Sequence, residues 1–431
     1  VNTGEPTIFA LASGAGRAGI AVMRISGAET APILTVLAAR LPPPRRASLR
    51  QLRNAEGEVL DQALVLWFPA PASYTGEDGA ELHLHGGPAV LAGVADALLT
   101  LGARPAEPGE FTRRAFLNNR LDLTGAEAVL DLIEAETAAQ RGQALRQLGG
   151  ALTRTYEDWR ARLMGLLAHQ EALIDFPDED LPPEVEARLH ASLATLTAEI
   201  ANHLADERRG ERLRTGITIA VTGPPNAGKS SLVNALTGRD IAIVSPMPGT
   251  TRDALEARLV LAGVPVTLVD TAGLRETSDA IEAEGVRRAR ARAAEADLVL
   301  HLQEAGASVE PSEGISIATK MDLYPDAMLP PETVPISVMT GAGLDALRDR
   351  LTTEVTRLTQ AAGAQAPLTR PRHRAALAEA LERLTAAHTA PAPELVAEDL
   401  RLALRSLGRV TGRVDVEDIL GLVFSQFCIG K

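Results

Sequence analysis

The chain has 431 residues, 45% of them hydrophobic and 23% charged, with a single cysteine and a net charge of −13. At about 150 residues per domain this predicts two to four domains with cores of their own, and it excludes a small scaffold stapled by disulfides or metal. No stretch approaches the roughly 18 unbroken apolar residues of a membrane span, and no basic-then-apolar export signal opens the chain, so a cytoplasmic protein with no membrane partner is expected.

Residues 1–120 alternate short apolar runs with turn residues. Examples are Ile20, Ala21, Val22, Met23 and the alternating Glu81, Leu82, His83, Leu84, His85 ahead of Gly86 and Gly87. This predicts an α+β domain. His83 and His85 share a strand face, but no third metal ligand accompanies them. From 121 to 213 breakers thin out and apolar residues recur at helical spacing, as in Leu130, Ile133 and Leu145, Leu148, Leu152, with an acidic break at Asp175 to Pro183. Long helices are predicted there. This segment holds 9 basic and 18 acidic residues and would repel phosphate, whereas 1–120 is balanced at 11 of each. Residues 214–366 open with a buried strand at 216–222 and then alternate strand and helix patterns, predicting an α/β domain with a mostly parallel sheet. The Ala361 to Pro367 stretch reads as a linker. Residues 367–431 return to helical patterns and are expected to pack on the 121–213 helices, which makes the α/β domain an insertion.

Only three of the 43 cations are lysines, Lys229, Lys320 and Lys431, and each lies in a motif. Residues 223–230 read GPPNAGKS, a phosphate loop between an apolar strand and the helical Ser231 to Leu236. Gly223 and Gly228 let backbone N–H groups close around phosphates, Lys229 supplies a point charge, and Ser230 can ligate Mg²⁺. Asp270, Thr271, Ala272 and Gly273 follow an apolar strand, which puts a carboxylate near that ion and an N–H near a γ-phosphate. Thr319, Lys320, Met321 and Asp322 follow another short strand. Asp322 can accept from guanine N1–H and the 2-amino group, while the stem of Lys320 lies along the purine, so GTP is preferred over ATP. Thr319 stands where this motif usually carries Asn, which removes an amide hydrogen bond and leaves the selectivity of Asp322 in place. Ser337 is a candidate for the loop that closes over the base. Only about ten residues separate the strand ending near Glu304 from the next, too few for a full crossover helix. Leu274 occupies the position of a water-orienting glutamine, so catalytic help must come from elsewhere. Asn226 offers a side-chain carbonyl to a monovalent cation; the alternative is a local hydrogen bond.

GPPNAGKSSL, GTTRD at 249–253, DTAGLR at 270–275 and the terminal FCIGK at 427–431 resemble the MnmE (TrmE) family of tRNA modification GTPases. So do MRISG at 23–27, TGED at 75–78, HGGP at 85–88, PGEFTRRAFLN at 108–118 and LDLTGAEA at 121–128. The resemblance implies a multidomain fold. Its parts are an α+β N-terminal tetrahydrofolate-binding-like and dimerisation domain (1–120), a discontinuous all-α helical domain (121–213 and 367–431), and an inserted α/β phosphate-loop GTPase domain (214–366). It also implies a homodimer that works with the FAD-dependent partner MnmG (GidA), in a heterotetramer or larger complex, to place an aminomethyl or carboxymethylaminomethyl group at C5 of the wobble uridine (U34) of certain tRNAs. GTP hydrolysis would be stimulated by K⁺ and coupled to juxtaposition of two G domains. Asn226, Ser245, Met247 and Thr250 would surround K⁺, Ser230 and Thr251 would hold Mg²⁺, and Glu282 would orient the attacking water. Asn226, Ala227, Gly228, Lys229, Ser230 and Ser231 would cradle the nucleotide. The one-carbon unit would come from a 5,10-methylene- or 5-formyltetrahydrofolate held by Arg24, Glu81, Arg120 and Lys431, with Cys428 near the modification chemistry. From the residues alone, Arg24 and Glu81 also have the alternative reading of an ordinary ion pair. Two other classes stay open: a GTP-controlled ribosome-assembly module and a folate-dependent transferase with a regulatory GTPase. The first commonly carries a G-x-x-G loop after the G domain, whereas Gly408 and Gly412 are four apart.

Overall fold

A computed structural model of the chain describes residues 5–14, 16–175, 183–239, 256–270, 294–307, 314–360, 366–414, 417–427 and 429–430. They form two compact units, each assembled from segments distant in sequence. One comprises Val1–Leu130, Gln147–Met164 and Arg401–Lys431, the other Asp131–Arg146 and Gly165–Leu400.

The first unit is built on a sheet of β1 (Ile8–Leu11), β2 (Ala18–Ser26), β3 (Ser48–Arg53), β4 (Val59–Phe68), β5 (Gly79–Gly86) and β6 (Arg104–Pro105), in the order β3-β4-β5-β2-β1-β6. Neighbours are antiparallel except β1 and β6. The alternation at 81–85 becomes β5, with Leu82 and Leu84 buried and Glu81, His83 and His85 on the opposite face. Helices α1 (Thr30–Leu37) and α2 (Pro88–Thr100) cover the buried face, with Ile33, Leu34, Val94 and Leu98 meeting Leu82, Val65 and Met23 in one core. α3 (Glu110–Leu117) follows β6. α4 (Leu123–Glu134) contributes Leu123, Ala126 and Leu130 to a cluster with Val423 and Phe424 of α13 (Glu417–Ser425) and with Phe427.

Helices α5 (Ala138–Leu148) and α6 (Ala151–Asp175) are parted by Gly149 and Gly150, a break that apolar spacing did not reveal; Gly150 takes φ +79°, where a glycine ends a helix cheaply. Ile133 and Leu145 have the expected helical spacing yet are 44% and 49% exposed. In the second unit, α7 (Pro183–Leu204) packs on α11 (Pro371–Thr389), and α8 (Arg209–Thr215) leads directly into β7 (Ile217–Thr222). After α9 (Lys229–Arg239) come β8 (Glu256–Leu261), β9 (Val264–Asp270), β10 (Leu298–Glu304), β11 (Ile315–Thr319), β12 (Val334–Pro335) and α10 (Leu344–Thr359). The sheet runs β12-β11-β10-β7-β9-β8, parallel but for β8. On one face of the sheet the alternate positions Ile219, Val221, Leu268, Leu300 and Ile317 are buried in one core with Leu232 of α9 and Leu347 and Leu351 of α10. α12 (Pro393–Thr411) completes the described helices. No described helix is long and apolar enough to cross a membrane.

Candidate nucleotide site and a second cavity

The parallel strands β7, β9 and β11 end on one edge of their sheet, where open α/β folds bind ligands. From β7 the chain turns through Gly223, whose φ is +136° and where a Cβ would lie 2.2 Å from the Leu302 carbonyl, so only glycine fits beside β10. Asn226 takes φ +64°, a left-handed conformation that Asn tolerates, and its side chain makes no hydrogen bond to another described residue. The Lys229 ammonium is buried and donates to the carbonyls of Gly223 (2.8 Å) and Pro224 (2.7 Å), which brace it inside the loop. Ser230, on the first turn of α9, donates its hydroxyl to Asp270 Oδ2 at 2.6 Å. A hydroxyl and a carboxylate in contact at the mouth of a phosphate loop are hard oxygen donors suited to Mg²⁺.

Thr319, Lys320 and Asp322 close the same space, a cavity of about 540 Å³ that also touches Asn226, Gly228, Lys229, Ser230 and Ser231. Asp322 is fixed by Ser337, which is buried and donates its hydroxyl to Asp322 Oδ1 at 2.6 Å. Ser337, singled out in sequence as a loop residue over the base, is thus the side chain that aims the carboxylate. Thr319 donates to the Gln303 carbonyl (3.2 Å), and Lys320 donates to Glu304 (2.7 Å). Val338 and Met339 add an apolar wall that the motifs did not announce. Ala227 is buried beneath the loop. Of the other sequence candidates, Ser245, Met247, Thr250, Thr251, Thr271, Ala272, Gly273, Leu274, Glu282, Cys428 and Lys431 lie outside the described residues, as do most of the 361–367 linker and the 175–183 break.

The first unit has its own cavity, of about 290 Å³. Arg24, Glu81 and Arg120, drawn from β2, β5 and the turn after α3, all line it. Arg24 Nη2 donates to Glu81 Oε1 at 3.1 Å, and its guanidinium lies 5.4 Å from the Tyr74 ring centre and 5.8 Å from that of Phe111. Burial pushes the Tyr74 hydroxyl above its usual range, against opposing effects of Thr112 and Arg24. Aromatic walls, a carboxylate and the guanidiniums of Arg24, Arg45 and Arg120 fit a flat heterocycle carrying ring N–H groups and a carboxylate tail, the chemistry of a folate. The sequence had named Arg24, Glu81 and Arg120 but not Tyr74 or Phe111; TGED and PGEFTRRAFLN flagged their neighbourhood without assigning them roles. His85 Nδ1 lies 2.7 Å from Asp61 Oδ1 and His83 Nε2 3.6 Å from Glu81 Oε2, and no metal-ligating group of three occurs among the described residues.

β7, its glycine-bounded loop, α9, Asp270 and the turn of Lys320 and Asp322 define a phosphate-loop GTPase. Beyond that class, residues 7–120 match a model described as GTP-binding protein TrmE N-terminus, and 123–428 match the MnmE helical domain. The chain is 58% identical to the tRNA modification GTPase MnmE of Gluconacetobacter diazotrophicus, over 100% of both chains. The same-named proteins of Granulibacter bethesdensis and Rhodospirillum rubrum are 58% and 56% identical, over 99% of this chain and 100% and 99% of theirs. The chain belongs to the MnmE family. Among solved structures, the G domain of the T. maritima FeoB iron transporter aligns at 25% identity over 33% of this chain and 99% of that one, with a TM-score of 0.22.

Proposed function

We propose that this GTPase acts in tRNA modification, hydrolysing GTP under K⁺ stimulation within a complex that adds a folate-derived aminomethyl or carboxymethylaminomethyl group at C5 of the wobble uridine. The observation that carries this reading is the Ser230–Asp270 hydrogen bond at an intact phosphate loop, in a chain matched end to end by proteins named as tRNA modification GTPases. Lys229 would bind the β- and γ-phosphates, and Asp322, held by Ser337, would read guanine. Ser230 and Asp270 would hold Mg²⁺ directly or through its waters. Bound there, that ion supplies charge neutralisation to the transferring phosphoryl group. Asn226, whose amide is not engaged by any described residue, would be the ligand this loop offers to K⁺, with Ser245, Met247 and Thr250 as its companions and Thr251 beside Mg²⁺. Glu282 would orient water.

In the first unit, Glu81 would accept from the pterin N–H groups while Arg24 and Arg120 bind anionic parts of a tetrahydrofolate, with Lys431 and Cys428 completing that site. The working assembly would be a homodimer joined through residues 1–120, with MnmG and tRNA as partners, in the cytoplasm. Domain boundaries at 120, 213 and 366 belong to this reading. The test is mass spectrometry of wobble nucleosides in tRNA from cells lacking the chain, together with GTP turnover in KCl against NaCl at equal ionic strength. Loss of the C5 aminomethyl-type uridines and faster turnover in KCl are expected. Unchanged nucleosides would remove the protein from tRNA modification, and equal rates would remove Asn226 from its cation role.

A further inference from the structure

The turn that reads the base is tethered by residues outside its motif. Thr319 offers a hydroxyl where an Asn amide is usual, and that hydroxyl donates to the Gln303 carbonyl at 3.2 Å. It therefore contributes no side-chain link to the phosphate loop. Lys320 takes φ +59°, unfavourable for a residue with a Cβ, so something must hold it there. Its Nζ donates to Glu304 Oε2 at 2.7 Å, at the end of β10, while the other carboxylate oxygen accepts the Tyr324 hydroxyl at 3.0 Å. The Tyr324 ring sits where Gly306 leaves room for it: a Cβ on Gly306 would lie 2.4 Å from the ring. Both oxygens of Glu304 are thus gripped by the same turn, from residues 320 and 324. The Lys229 ammonium is engaged separately by the phosphate-loop carbonyls, so the two cations of the cavity have distinct anchors.

We propose that Glu304, oriented by Tyr324, is a positioning residue for guanine nucleotides: it draws the Lys320 ammonium to one side so that the alkyl stem lies along the purine face, replacing the tether that Thr319 cannot supply. This deepens the GTPase reading and rests on that cavity taking guanine nucleotides. The contribution is to affinity, because the Lys320 stem meets the base and not the reacting phosphate.

The test is titration of the full chain with a fluorescent N-methylanthraniloyl GDP, alongside steady-state GTP turnover and melting temperatures. The variants are Glu304→Ala, Tyr324→Phe, and Glu304→Ala combined with Thr319→Asn. Glu304→Ala is expected to raise the GDP Kd and the GTP KM together by about three- to tenfold, the range of an ordered, half-exposed charge-assisted pair, with kcat within twofold. Tyr324→Phe moves both in the same direction by less, and Thr319→Asn restores most of the lost affinity. An unchanged Kd in Glu304→Ala, a fall in kcat without a change in Kd, or no recovery with Asn at 319 would overturn the proposal. Wild-type chain that binds the ADP analogue as tightly as the GDP analogue would instead show that the base-reading assignment fails, independently of any variant.

Discussion

At residue scale, the proposed base selection rests on one carboxylate, Asp322, whose direction is set by one hydroxyl. In that role Asp322 would present its oxygens toward the guanine N–H pair, and the 2.6 Å bond from buried Ser337 holds one of them. Asp322→Asn replaces an acceptor by a donor, so kcat/KM for GTP should fall and that for xanthosine triphosphate should rise, inverting the preference. Ser337→Ala should raise the GTP KM by about three- to tenfold without any gain for xanthosine triphosphate, because the carboxylate remains but is no longer aimed. Competition kinetics with the two nucleotides separate these cases, and retained GTP selectivity in Asp322→Asn would contradict the assignment. Lys229, Ser230, Lys320 and Asp322 were legible because each motif is local, a strand followed within a few residues by its polar group. Glu304 was not, since it reads as the last residue of a strand and gains its role only when β11 pairs beside β10.

At the scale of elements, α3 is anchored by charge as well as by its short apolar face, on which Phe111 and Ala115 are buried. Glu110 is buried and accepts from Arg104 of β6 (2.6 and 2.9 Å), from Arg114 (2.9 Å) and from the Glu107 N–H (2.9 Å). Arg114, also buried, reaches Glu77 at 3.0 Å, and Ser26 donates to that same carboxylate at 2.8 Å. Glu77 thereby ties the turn carrying Tyr74 to the helix carrying Phe111, two of the aromatics that line the first unit's cavity. Burial alone would raise the Glu110 carboxyl, but these partners bring it down to about 2 from an ordinary 4.5. Its folded-state affinity for protons is lower than its unfolded one, so the stabilisation is present in full above about pH 5 and is lost as pH falls toward 2. The shift corresponds to roughly 3 kcal/mol. Acid unfolding of the first unit should therefore be less steep in Glu110→Gln, which is also expected to lose about 3–5 kcal/mol at neutral pH because Arg104 and Arg114 keep their charge without this partner. Far-ultraviolet circular dichroism against pH checks both, and an unchanged acid midpoint would contradict them. PGEFTRRAFLN stood out as a motif, yet its electrostatic meaning was hidden because Arg114 and Glu77 lie 37 residues apart.

At the scale of the whole molecule, the chain begins and ends in the same unit and passes through the other between. Strand and helix patterns were readable along the sequence because they depend on near neighbours. The packing of the 367–431 tail on the helices after residue 121 was legible too, since a tail of that size has little core of its own; which side chains meet was not, because that depends on which apolar faces come together. Phe424 is 3% exposed and shares its cluster with Leu123, Ala126, Leu130 and Phe427. Replacing it by Ala removes a buried ring and leaves a cavity, at a cost of about 3–5 kcal/mol. That cost falls on the first unit, whereas guanine nucleotide stabilises the unit holding the phosphate loop in proportion to RT ln(1 + [L]/Kd). Calorimetry of the full chain should accordingly show one transition lowered by about 10 °C in Phe424→Ala and unmoved by GDP. A second transition should rise with GDP equally in variant and wild type. A single transition that responds to both the substitution and the nucleotide would mean that the two units unfold as one.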